Sequence, residues 1–246
     1  MKAESRPIAA SRPHVICHMM TSVDGRILVD GWPLSDEGRR QYELIHESYE
    51  PDAWACGRVT MEHFATGTRS AAEVASEYRG AAREDFVAPG DHGSFAIAID
   101  PLGKLVWQSG DLAGDHVVAV LTERVSDEYL ASLRERGVSY LLAGRDDLDL
   151  GLALEKIGAR LGVRTLMLEG GGGINGSFLR AGLVDELSLL VAPVVDGRVG
   201  TPALFDVVGE GVAPRRLVLR DVEQRPGELL WVRYRVEASA GYRAAP

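Results

Sequence analysis

Four consecutive glycines, Gly170 to Gly173, follow an apolar run, Val163 to Leu168, that ends on Glu169. Beyond them Ile174, Phe178, Leu179 and Leu183 recur at helical spacing. A buried strand feeding a glycine loop that opens a helix leaves backbone N–H groups free at the positive end of the helix dipole, where phosphate oxygens bind. The alternative is a tight turn with no ligand. Four glycines exceed what a turn needs, and each adds unfolded-state entropy that folding must overcome, so a phosphate-binding loop is favoured. A second strand–loop–helix start, Asp52 to Cys56 and then Gly57-Arg58-Val59-Thr60, offers another anion site. Arg58 directly follows the strand-ending glycine, and its planar fork suits a phosphate. Two carboxylates stand beside these loops. Glu169 ends a buried strand, where an unpaired carboxylate is costly without a partner, so a role at a site is expected. Asp24 belongs to an Asp-Gly pair, equally a turn signal and a ligand contact.

Other chemistries find no residues. The histidines 14, 18, 46, 63, 92 and 116 lack metal-ligand spacing, and Cys17 and Cys56 are two lone thiols inside apolar runs, so no metal is expected. There is no Gly-x-Ser-x-Gly elbow and no Walker loop. Gly171, Gly173 and Gly176 formally satisfy the dinucleotide pattern of a doubly wound fold. They lie too late in the chain to build one, and Pro193 is awkward in the next apolar run.

The elements that must carry these groups alternate. Strands are predicted at 14–20, 52–56, 94–99, 117–121, 138–143 and 163–168, and helices from Ser35 to Pro51, over 126–136 and over 149–161. The end differs: 186–195, 215–225 and 228–237 read as strands, the last two an antiparallel hairpin turning at Pro226-Gly227. The expected organisation is one α/β domain over 13–237, with loose tails at 1–12 and 238–246. Residues 65–93 form a polar surface excursion, with a helix near 71–79. The 246 residues, 46% hydrophobic and 26% charged, suit a globular chain with a sizeable core. A net charge of −9 argues against nucleic acid and anionic membrane, and no run has spanning length, so a cytoplasmic protein is expected.

Met20-Thr21-Ser22-Val23-Asp24-Gly25-Arg26, Gly57-Arg58-Val59-Thr60-Met61-Glu62, Ala98-Ile99-Asp100-Pro101 and the block Glu169 through Gly197 together resemble the reductase-domain family of riboflavin biosynthesis, which shares the dihydrofolate reductase fold. The resemblance runs in order from about His14 to Val236. It implies a twisted, mostly parallel sheet flanked by helices, with NADPH across the strand ends. It further implies that Gly57, Arg58, Val59 and Thr60 hold cofactor phosphates, that Gly170, Gly171, Gly172, Gly173 and Ile174 hold the diphosphate, and that Thr122 and Arg124 meet the adenosine 2′-phosphate. On the substrate side it implies Thr21, Ser22, Asp24, Ser35 and Glu169, with Asp24 or Glu169 supplying or relaying the proton, or hydrogen-bonding the ligand. Arg39 and His46, on the first helix, are expected at the substrate; the family's later helix arginine is replaced here by His46. The implied activity is that of 5-amino-6-(5-phosphoribosylamino)uracil reductase, hydride transfer to the ribose C1′ imine, in a homodimer. The alternatives are a reductase of a dihydrofolate, pterin or other C=N substrate on the same fold, and a non-catalytic NADPH-binding module.

Overall fold

The computed structural model describes residues 12–70, 83–207 and 214–237. Its core is a ten-stranded sheet in the order β11-β12-β10-β1-β9-β2-β4-β7-β6, with β8 also paired to β7. The strands are β1 (His14–Thr21), β2 (Ala53–Gly57), β4 (Phe95–Ile99), β6 (Asp111–Leu112), β7 (Asp115–Leu121), β8 (Ser139–Leu142), β9 (Thr165–Leu168), β10 (Glu186–Val191), β11 (Leu217–Arg225) and β12 (Leu229–Val236); β3 (Gly67–Thr68) and β5 (Leu105–Val106) pair separately. From β10 through β1, β9, β2, β4 and β7 to β8 every pairing is parallel, whereas β12 meets β10 and β11 antiparallel.

Parallel strands covered on both faces should read as continuous apolar runs, and they do. Phe95 to Ile99 and His116 to Leu121 are buried at every position. One apolar cluster joins Val15, Ile97, Leu154, Leu166 and Phe178, and a second joins Met61, Ala119, Leu133 and Tyr140.

The helices are α1 (Asp36–Ser48), α2 (Arg58–Met61), α3 (Asp127–Glu135), α4 (Leu150–Leu161) and α5 (Gly172–Arg180). Ser35, Ser126 and Asp149 cap α1, α3 and α4 through their side chains, each accepting from a backbone N–H of the first turn. Gly162 ends α4 at φ 73°, the left-handed position that favours glycine.

The structure departs from expectation in five places. β10 stops at Val191 rather than 195, because Pro193 has no N–H to continue the ladder. The helix after Gly57 is a single turn. The short strands β5 and β6 are unheralded, since two residues carry no periodicity. Arg12, expected in a loose tail, is clamped by Asp185 through two hydrogen bonds of 2.6 and 2.7 Å. Part of the excursion is also anchored: Phe86 bridges to Tyr140, and the Asp85 carboxylate accepts from Leu142 N and Lys156 Nζ. The helix expected near 71–79 lies outside the described residues, as do residues 1–11 and 238–246 of the expected tails.

Candidate active site

β1, β9, β2 and β4 end together, and their carboxyl ends open onto two adjoining cavities, the place where open α/β sheets bind ligands. The larger is a groove of about 950 Å³ lined by Gly57, Arg58, Thr60, Pro101, Gly171 and Gly173, with Ile174, Ser177 and Arg180 along α5. The smaller, about 530 Å³, is lined by Met20, Leu34, Arg39, Glu43, His63 and Glu169 among others. Val59, Thr60 and Gly171 line both, so a ligand in one reaches the other.

The glycine run does several jobs. A Cβ on Gly170 would sit 2.7 Å from the Cβ and Sγ of Cys56, so this glycine lets β9 close against β2. A Cβ on Gly172 would lie 2.3 Å from Ala203 O and 2.6 Å from Asp206 Oδ2, and one on Gly176 would lie 2.5 Å from Asp206 O. These two glycines admit the returning 203–207 segment, which is tied down by Asp206 N donating to Gly172 O at 2.9 Å. Gly171, at φ 67°, turns the chain into α5. Gly173 has nothing within 4 Å of its would-be Cβ and faces the groove. The nine-residue α5 therefore offers its N-terminal N–H groups to the groove. The one-turn α2 contributes side chains instead: Thr60, and Arg58, which pairs with Glu62. Bare backbone, an arginine and a helix start along an open groove fit the diphosphate of a dinucleotide. Thr122 is buried with its hydroxyl donated to Pro101 O at 2.7 Å, and Arg124 is exposed; neither lines the groove.

In the smaller pocket the carboxylate of Glu169 is 11% exposed, and its Oε1 lies 2.7 Å from His46 Nδ1. That hydrogen bond, ahead of the cost of burial, raises the imidazole pKa. Glu43 also lines the pocket, and burial, followed by repulsion from Glu169, pushes its carboxyl up. The sequence reading missed Glu43, although Arg39, Glu43 and His46 recur at helical spacing on α1. Arg39 is the one arginine among the described residues lining this pocket, and its Nη2 donates to Trp32 O at 2.7 Å. His46 is not itself part of the lining.

Four other expected substrate residues serve the frame. Thr21 is buried and its carbonyl accepts from Ala192 N. Ser35 caps α1. The buried Ser22 donates to Asp24 Oδ1 at 2.7 Å, and Asp24 also accepts from the N–H groups of Asp196 and Gly197. Those bonds, Ser22's first, hold the Asp24 carboxyl down to about 2. Asp24 is thus a clasp between the loops after β1 and β10, lining neither cavity.

Known proteins match this chain over most of its length. The model of the family described as RibD C-terminal domain covers residues 13–230. The 2,5-diamino-6-ribosylamino-4(3H)-pyrimidinone 5′-phosphate reductase of Methanothermobacter thermautotrophicus is 29% identical over 231 residues, 92% of this chain and 99% of that protein. A pyrimidine reductase-like protein of Corynebacterium diphtheriae superposes with a TM-score of 0.68 at 21% identity, covering 96% of this chain and 97% of that one. The riboflavin biosynthesis reductase of Saccharomyces cerevisiae does so at 0.58 and 18% identity, covering 92% and 90%.

Proposed function

The chain belongs to the RibD C-terminal domain family, and on that premise we propose that it is an NADPH-dependent reductase of the riboflavin type, acting at the ribose C1′ imine of a ribosylaminopyrimidine phosphate. One observation carries the reading. The groove suited to a dinucleotide and the pocket holding Glu169 share Val59, Thr60 and Gly171 at the strand ends, so a nicotinamide and a heterocycle would meet there. When bound, the cofactor supplies the hydride. The chain's residues do the rest. Arg58, Thr60 and the α5 N-terminus bind phosphates, and Glu169 presents a carboxylate oxygen to the nitrogen of the C=N bond. We assign Thr122 and Arg124 to the 2′-phosphate end, since they follow β7 and Thr122 is bonded to Pro101, which lines the groove.

A second reading, reduction of a C=N substrate without a phosphate, is favoured by the lining of the smaller pocket. Asp30, Glu43 and Glu169 face a single arginine there, already engaged by Trp32 O. We also propose that two copies pair through the C-terminal hairpin, and that the protein is cytoplasmic; no helix among the described residues is long and apolar enough to cross a membrane.

The test is a titration with NADPH and with NADH followed by tryptophan fluorescence, repeated on Arg58→Ala, and then turnover of 5-amino-6-(5-phosphoribosylamino)uracil and of a dihydropterin. Preferential NADPH binding should weaken about tenfold or more in the variant, the loss of one charge-assisted contact. Equal or absent binding of both nucleotides would end the reductase reading, and turnover of the dihydropterin alone would select the second.

A further inference from the structure

This inference rests on the reading above, in which Glu169 faces the substrate. Glu169 lines the pocket and His46 does not, yet the two are joined at 2.7 Å, the Glu169 side chain 11% exposed and that of His46 20%. The imidazole therefore braces the carboxylate from behind. It takes up Oε1 and leaves Oε2 for a ligand. We propose that His46 is a positioning residue: its imidazolium holds Glu169 as an oriented carboxylate at the substrate and makes reduction depend on a proton that the substrate never receives.

The surroundings favour the imidazolium. Glu43 lies on its own helix with Glu47 alongside, Glu169 ends β9, and Asp115 starts β7; all are acidic. The other facing imidazole, His18 on β1, has its pKa lowered by burial. The thiols of Cys17 and Cys56, which face Glu169, are pushed up by burial and then by that carboxylate, so they stay protonated. A charge-assisted hydrogen bond is about twice as strong as a neutral one, so the protonated ring fixes the carboxylate best. Once His46 loses its proton, its hydrogen bond to Glu169 loses its charge assistance and holds the carboxylate less firmly. The ionised, fixed carboxylate favours the protonated and more electrophilic form of a C=N bond. No bond to His46 is made or broken in the reduction.

The experiment measures kcat/KM against pH for the full chain and for His46→Asn and His46→Ala, using NADPH and 5-amino-6-(5-phosphoribosylamino)uracil. The His46 ring is titrated in parallel by NMR, with and without Glu169→Gln. In the parent chain kcat/KM should fall as pH rises through an imidazole pKa above the ordinary value of about 6.5, and Glu169→Gln should lower that pKa. His46→Asn keeps a neutral donor, so it should retain activity within about tenfold and lose the alkaline limb. His46→Ala should lose about 10–100-fold in kcat with NADPH affinity unchanged. An alkaline limb that persists in His46→Asn, or a His46→Ala enzyme with the parent kcat, overturns the proposal while leaving the reductase reading intact. A parent chain that oxidises no NADPH overturns both, and the NMR titration would still show whether the pair exists.

Discussion

Gly172 and Gly173 are neighbours with opposite duties. Gly172 is packed against Ala203 O and Asp206, whereas Gly173 borders open groove. Gly172→Ala should therefore cost the fold about 1–3 kcal/mol, the usual penalty of overpacking, seen as a lower melting temperature. Gly173→Ala should leave the melting temperature unchanged or slightly raised, because alanine favours a helix by about 0.5–1 kcal/mol over glycine. On the proposed reading its methyl group would stand where cofactor phosphates approach, and NADPH binding should weaken about tenfold, or 1.4 kcal/mol. Melting and NADPH titration of the two variants decide the matter; a Gly173→Ala chain that melts low and binds normally would reverse the assignment. The sequence shows a glycine run suited to a phosphate, and it contains no sign that residues 203–207 come back against it. The same limit explains Asp24. An Asp-Gly pair beside a strand end reads equally as turn and as catalyst, and its clasp on Asp196 and Gly197 is a tertiary fact.

Elements were legible where the pattern was long. Continuous apolar runs announced β4, β7 and β9, and the cap Ser35 announced α1. The strand order was not legible, because it depends on β9 entering between β1 and β2 from more than a hundred residues away. At the far end of that order β11 forms the last strand, and Leu219 and Val222 are 55% and 50% exposed on it. A nine-residue edge strand with apolar side chains invites another chain. Pairing of two copies there would bury these residues, so sedimentation velocity should return a dimer. The double variant Leu219→Glu, Val222→Glu should shift the protein to monomer while the groove beside the glycine run, several strands away, still binds the NADPH proposed for it. A parent chain that sediments as a monomer at micromolar concentration would rule the hairpin pairing out.

For the whole molecule, the buried histidines and the paired carboxylates set how stability responds to pH. His116 is pushed down to about 4 by burial first and then by His92, whose ring is stacked on it at 3.7 Å. His18 is lowered by burial as well. A folded-state pKa below the unfolded value of about 6.5 means that the native chain binds fewer protons there. The stabilisation is thus complete above pH 6.5 and is lost as pH falls toward 4. Below that, Asp52 and Asp185 continue the loss. Both lie under the ordinary carboxylate value, Asp52 through the N–H groups of Thr165 and Arg164 and Asp185 through Arg12, each against the opposing cost of burial. His46 has the opposite sign. Its raised pKa adds stability that is complete below about 6.5 and disappears as pH rises through the folded value. Stability should therefore peak near neutrality and fall on both sides. Urea midpoints measured from pH 4 to 9 should show that peak. His116→Asn should flatten the acid limb between 6.5 and 4, and His46→Asn the alkaline one. A midpoint unchanged between pH 7 and 4 would mean that His18 and His116 take up protons in the native chain as readily as in the unfolded one. The buried stacking of His92 on His116 would then have to open at no cost, which a ring hydrogen-bonded to Ser139 Oγ at 2.7 Å inside the sheet's edge does not permit.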